Sequence, residues 1–196
     1  MLDYSDIETV GPTAEPVTVA ECRRHLDLDD SHRDAEIAAW ITLARRQVEH
    51  DSRVALITRT RARKLHAFPG ASHIQLHTMT PLISVSSITY TDTAGATQTL
   101  AGANYSVDTA RRPGIIWLAY QATWPATRCQ PNAVTITYTC GYGPSASYVP
   151  PEAKQAMYLV VRHRLDHPEL ADLVGDRPAI QGYDYLVSML STGSYP

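Results

Sequence analysis

Apolar residues recur at spacings of three and four between His32 and Arg53. Ile37, Ile41, Ala44 and Val48 form the stripe and Trp40 widens it, which predicts an amphipathic helix. Its outer face is expected to carry Arg45, Arg46, Glu49 and Asp51, either as a solvated face or as a subunit interface across which the charges pair. A second stripe, Ala153, Ala156, Met157, Val160, Val161 and Leu165, predicts a helix from Pro151 to Asp166. Proline suits its first turn, and His167-Pro168 stops it. A short helix is expected to run through about Leu26, opened by Thr18 and Glu21 as a capping box, with Asp27 to Asp30 as a loop. Ser31 with Asp34 predicts a similar cap for the helix that follows.

Between these helical stretches the period changes to two. Val134, Ile136 and Tyr138 alternate with Thr135, Thr137 and Thr139, the pattern of a half-buried strand of β-branched residues. Gly141 and Gly143 end it by allowing backbone angles that other residues avoid. Trp124-Pro125 and Gln130-Pro131 punctuate the loop that feeds it. Ala55 to Phe68 also reads as a strand, but neither face is continuously apolar, because Arg59, Arg61 and Arg63 share one face. This predicts a charge-protected edge strand. His73–His77, Ser84–Tyr90, Thr97–Leu100, Tyr105–Asp108 and Ile115–Leu118 are further short strands, separated by turns such as Asp92-Thr93-Ala94-Gly95. Short strands with turns every ~8–12 residues indicate a small antiparallel sheet, barrel or sandwich.

Charge sharpens the division. Residues 1–52 carry 12 acids and 5 bases, a net −7; residues 53–150 carry 2 acids and 8 bases, a net +6; residues 151–196 return to −2. The expected fold class is therefore α+β, a small helical bundle formed by both chain ends with an inserted antiparallel β domain. Its expected parts are an N-terminal arm (1–16), a first helical half (17–53), the β-rich insert (54–149), a second helical half (150–175) and a C-terminal tail (176–196). No apolar run reaches the ~20 residues of a membrane helix. The acidic Met1–Asp6 lacks the pattern of a signal peptide, so synthesis in the cytosol is expected. Cys22, Cys129 and Cys140 read as reduced fillers rather than disulfide or metal partners.

The search for chemistry returns no constellation. There is no nucleophile elbow, phosphate loop, dinucleotide fingerprint or His-Glu-x-x-His. His163 and His167 have ligand spacing on a helix, but Pro168 places His167 at the helix end, where a positive side chain suits the dipole. His66, His73 and His77 read as strand-surface residues. Asp92 and Asp108, the two acids of the insert, read as turn residues. Trp117, Trp124 and Tyr138 read as core, with Trp124 as a structural anchor alongside Gly141 and Gly143. The basic residues between positions 59 and 64 suit phosphate, but no aromatic residues interleave with them and the chain as a whole is acidic. No catalytic residue, metal ligand or cofactor is expected. Two readings remain: a structural connector that works by assembling, and a small enzyme or ligand-binding module using the β insert. The missing acid pairs and nucleophile–base sets favour the first.

One ordered series of motifs resembles a known family. Trp-Pro-x-Thr-Arg-x-Gln-Pro-x-Ala-Val from Trp124, then Gly-Tyr-Gly from Gly141, then Val-Pro-x-x-x-Lys-Gln-Ala from Val149 resemble the head–tail connector (adaptor, head-completion) proteins of tailed bacteriophages and gene transfer agents. Glu15–Glu21, Ala55–Thr60, Pro81–Ile88 and Tyr105–Asp108 fit the same series, so the resemblance spans roughly residues 15–165. It implies a virion protein at the head–tail neck, made in the host bacterial cytoplasm. Such a protein forms a ring, typically dodecameric, beneath the portal protein. The ring continues the DNA channel without sequence-specific DNA binding and offers a surface to a stopper or tail-completion protein. The resemblance also gives the tail a role. Tyr183, Tyr185, Leu186, Val187, Met189 and Leu190 are too apolar for a linker. In such connectors a terminal segment docks onto the portal, so this piece is expected to pack on the portal or a neighbouring subunit, the alternative being a last helix folded back on its own subunit.

Overall fold

The computed structural model describes residues 4–28, 31–77, 79–167 and 180–191. Asp29 and Asp30 of the expected loop, the stop at Pro168, and residues 168–179 and 192–196 of the second helical half and tail lie outside the described residues. The described chain is α+β, with four α-helices and two antiparallel sheets. It divides into two compact units. One comprises residues 1–12 and 58–141, the other residues 13–57 and 142–196.

The helical unit contains α1 (Val19–Leu26), α2 (Asp34–Ser52), α3 (Pro151–Asp166) and α4 (Tyr183–Ser191). The capping box forms as the sequence predicts: the Glu21 amide donates to Thr18 Oγ1 at 3.1 Å, and the Thr18 amide donates to Glu21 Oε2 at 2.8 Å. The predicted side-chain cap of α2 does not form. Its N-cap is Arg33, and Ser31 contributes its backbone carbonyl to the Asp34 amide instead. Ile37, Ile41, Ala44 and Val48 of α2 share one core with Ala153, Ala156, Met157, Val160 and Val161 of α3; Trp40 and Leu165 are half-buried at its margin. Val54, Leu56 and Ile57 belong to this core too, although the charge shift had placed the border near Val54.

The expected outer face of α2 is corrected. Arg46 is exposed, but Arg45 and Glu49 are buried. Arg45 bonds Glu15 through Nε at 2.7 Å and Glu49 through Nη1 at 3.1 Å, and Glu49 Oε1 accepts the Leu56 amide at 2.9 Å. Burial opposes the Arg45 charge, but Glu15 and Glu49 outweigh it and hold the guanidinium above its ordinary pKa. These charges enter the interior because each arrives with its partner.

In the β unit, β1 (Tyr4–Val10), β2 (Arg59–Leu65), β8 (Val134–Cys140), β4 (Leu82–Thr91) and β5 (Thr97–Thr99) form a five-stranded sheet in the order β1-β2-β8-β4-β5. β3 (His73–Leu76), β7 (Gly114–Leu118) and β6 (Tyr105–Asp108) form a second sheet in the order β3-β7-β6. Leu76, Ile88, Ile116, Ile136 and Tyr138 are fully buried. The strands predicted from the period-two pattern are present within a few residues. Two features differ. The segment expected as an arm contains β1, paired antiparallel with β2. β2 is consequently an inner strand between β1 and β8, not an edge.

Candidate functional site

The potential chemical groups of the β unit turn out to serve the fold. Asp92 Oδ1 accepts the amides of Ala94 and Ala96, and its Oδ2 accepts Gln98 Nε2. The Gln98 bond and these amides hold its carboxyl below the ordinary value. Asp108 accepts the Ala110 amide at 3.0 Å. Both acids therefore close turns, as the sequence suggests. His66 Nδ1 accepts the Asn132 amide, and His73 lies against Trp117 with ring centroids 4.7 Å apart. The His163 and His167 rings are 4.9 Å apart. Among the described residues, no three His, Cys, Asp or Glu side chains are grouped as a metal site.

Three places carry the residues singled out by sequence. The first is the loop before β8. Trp124 stacks on Phe68 with ring centroids 4.9 Å apart and planes 5° apart, and its indole N–H donates to the Ala71 carbonyl at 2.8 Å. It is half-buried, a clamp between two loops rather than a core residue. Trp117, also expected in the core, is 39 % exposed, whereas Tyr138 is fully buried.

The second is the end of β8. Gly141 has φ +126°, a conformation that disfavours a side chain, and its amide donates to the Pro81 carbonyl at 2.9 Å. Gly143, in the helical unit, lies against the Tyr148 ring with no room for a Cβ.

The third is α4, whose residues divide between two faces. Tyr183, Val187 and Leu190 are buried in the helical core, and the Tyr183 hydroxyl donates to Asp51 Oδ2 at 2.8 Å. Leu186 is half-buried against the same core. Tyr185 is 69 % exposed and Met189 40 %. Spaced four apart, these two lie on one face of the helix and point away from its own core. The structure thus separates the six docking candidates into an internal set and an external pair.

Sequence reasoning missed a fourth arrangement. Along one face of the five-stranded sheet, Asp6 stands opposite Arg63, and Glu8 opposite Arg61. Arg61 Nε reaches diagonally to Asp6 Oδ1 at 2.7 Å, and Arg59 Nη1 to Glu8 Oε2 at 2.9 Å. Arg63 bonds Asp6 Oδ2 through Nη2 at 3.2 Å and the Gln75 carbonyl through Nη1 at 2.5 Å. The Tyr138 hydroxyl completes the set with a 2.6 Å bond to Asp6 Oδ2. Burial raises the Tyr138 pKa well above its ordinary value, and the Asp6 charge raises it further. Burial opposes the Arg61 charge, but Asp6 reverses the effect and holds it above its ordinary value. The Arg59, Arg61 and Arg63 guanidiniums are buried against carboxylates, so they do not present the phosphate-binding surface that their spacing suggests. The signal was present in the sequence as two acids two apart and three arginines two apart, a match visible only once the strands are paired.

Comparison with known proteins agrees with the resemblance seen in the motifs. No protein-family profile matches the chain, and no curated protein matches it by sequence. Solved structures do match over essentially the whole length. A chain in the virion of a native gene transfer agent particle has a TM-score of 0.75 at 23 % identity, covering 97 % of each chain. A chain in the neck of an empty gene transfer agent particle, computed with C6 symmetry, has a TM-score of 0.75 at 22 % identity, covering 100 % of this chain and 98 % of that one. A chain in the neck of the native particle, computed with C12 symmetry, has a TM-score of 0.72 at 25 % identity with the same coverage. The fold is thus one shared with chains of gene transfer agent virions and necks.

Proposed function

We propose that the protein is a head–tail connector of a tailed phage-like particle. Copies of it form a ring, a dodecamer in the mature neck, beneath the portal protein. The ring continues the DNA channel and gives a stopper or tail-completion protein its docking surface. The observation that carries this reading is the whole-chain similarity to neck structures with cyclic symmetry, which coincides with the ordered motifs from Trp124 to Ala156.

The fold suits the role. Helices that precede and follow residues 58–141 share one core, which supports reading the chain as a small helical bundle that carries the β unit. The exposed Tyr185 and Met189 supply an apolar contact for the portal or a neighbouring copy. The buried arginines of β2 suit a wall past which DNA must slide, because an open arginine row would hold phosphates tightly. Among the described residues, no helix is long and apolar enough to cross a membrane.

Cryo-electron microscopy of particles carrying the tagged chain tests the assignment. Density for a ring of this fold at the neck, next to the portal, is the expected result. Density elsewhere in the particle, or absence of the chain from it, overturns the proposal.

A further inference from the structure

Strand β1 contributes little apolar surface to the unit it joins. Tyr4, Ile7 and Val10 are all exposed, while the apolar interior is built from β3, β4, β7 and β8 residues such as Leu76, Ile88, Ile116 and Ile136. Besides the backbone ladder, β1 is held mainly by Asp6 and Glu8, with the Tyr4 ring over the Arg63 guanidinium and Thr9 Oγ1 donating to the Thr60 carbonyl. The Asp6 side chain is only 3 % exposed where it meets Arg61 and Arg63. Its receiving strand is the reverse case. Arg59, Arg61 and Arg63 are buried along one face of β2. A strand without acids at matching positions would seat there only by leaving these guanidiniums buried away from the carboxylates they now meet, at a heavy cost. The β2 edge is therefore a selective receptor for an extended segment with two acids two residues apart, a form of strand addition. Among the described strands, β1 alone carries such a pair.

The path of the chain adds a second observation. From β1 it passes into the helical unit at Thr13 and returns to the β unit only at Thr58. β1 is thus tied to its own sheet through 13–57, a segment of the other unit, and not through a hairpin. A strand bound by charge pairs and a backbone ladder, and tethered in this way, is suited to exchange between identical copies.

We propose that in the assembled ring β1 of each copy seats on β2 of a neighbouring copy. Asp6 and Glu8 of one copy then neutralise Arg59, Arg61 and Arg63 of the next, while the single chain makes the same contacts with itself. The proposal rests on the ring assignment above. Cyclic symmetry makes it self-consistent: every copy donates one strand and receives one, and none is left unseated. The identical contacts in both states mean that exchange sacrifices no ion pair, and it links neighbours through a strand that closes the sheet edge of each.

Disulfide trapping tests it. Ser5 and Lys64 are partners in the β1–β2 ladder, and both have side chains reachable from solvent. The full chain carrying Ser5→Cys and Lys64→Cys, with the exposed Cys129 replaced by Ser, is incorporated into particles and oxidised with copper phenanthroline. The expected result on a non-reducing denaturing gel is a ladder of covalent multimers from assembled necks and only monomer from the dilute free chain. Necks that contain the ring but yield only internally bridged monomer overturn the exchange and leave the connector assignment standing. Ile7→Cys with Ala62→Cys, a second pair in the same register, gives the same readout if the first variant does not assemble. Particles without any ring of the chain sink the connector assignment by microscopy, and the exchange with it.

Discussion

The Tyr138 hydroxyl donates a 2.6 Å hydrogen bond to the carboxylate of Asp6, a residue 132 positions earlier in the chain. That bond joins β8 to β1 across β2, where Arg61 and Arg63 bond the same carboxylate. One acid therefore ties three strands together. Removing it leaves a phenol and two guanidiniums without their shared acceptor. Asp6→Ala is expected to destabilise the β unit by about 3–5 kcal/mol, the usual cost of breaking a buried pair from one side. Urea unfolding followed by near-ultraviolet circular dichroism checks this, and Tyr138→Phe should cost less, about 1 kcal/mol for one lost hydrogen bond.

Trp124 makes a stack and one hydrogen bond but is half-buried. Trp124→Ala is therefore expected to cost about 2 kcal/mol, below the ~3–5 kcal/mol of a fully buried aromatic truncation. Trp124→Phe keeps the Phe68 stack and loses the Ala71 bond, so its unfolding midpoint should fall between those of the wild type and Trp124→Ala.

The two faces of α4 should separate in mutants. Val187→Ala and Leu190→Ala remove buried apolar groups and are expected to lower the stability of the helical unit, by ~2–5 kcal/mol for Leu190 and somewhat less for Val187. Tyr185→Ala combined with Met189→Ala removes only exposed side chains. It is expected to leave the melting temperature within a degree or two and to reduce incorporation into necks, since surface changes usually alter stability by under ~0.5 kcal/mol. Calorimetry and particle counting read the two effects independently.

Thiol chemistry should follow burial. Cys129 is exposed, whereas Cys22 and Cys140 are buried. Iodoacetamide is expected to label Cys129 in the native protein and the other two only after unfolding. Burial pushes the Cys22 thiol up from 9.0 to about 11. The folded state thus keeps its proton where the unfolded state has lost it. No stability is lost from this source below about pH 9; it declines as pH rises from there through about 11. Cys22→Ala should flatten that part of the urea-midpoint profile.

Self-association should depend on the particle. Among the described residues, the exposed large apolar side chains come from many separate segments, Tyr4, Ile7, Val10, Leu43, Ile83, Trp117, Tyr120, Tyr148, Tyr185 and Met189. Obligate interfaces are usually broad and apolar. Light scattering on the purified chain at low micromolar concentration is expected to find monomer or weak association, with the ring formed on the portal. A stable free ring would contradict this.

Local pattern was enough to read the α+β class, the helices with their apolar stripes, most strands, the Thr18–Glu21 capping box and the turn roles of Asp92 and Asp108. Each depends on residues close in sequence, where the helix period, the strand period and a side chain's reach to nearby amides act directly. The order of motifs also carried the resemblance to connectors. Tertiary structure alone decided where the charged residues went. Arg45 and Glu49 on a helix, and Arg59, Arg61 and Arg63 on a strand, look solvent-facing one at a time, because an isolated charge is costly to bury. They are buried because Glu15, Asp6 and Glu8 meet them from segments 30 to 57 residues away, and local periodicity carries no record of that pairing. The same distance hid β1, whose inward side chains are acids, and divided α4 into a face that holds its own core and a face left for a partner.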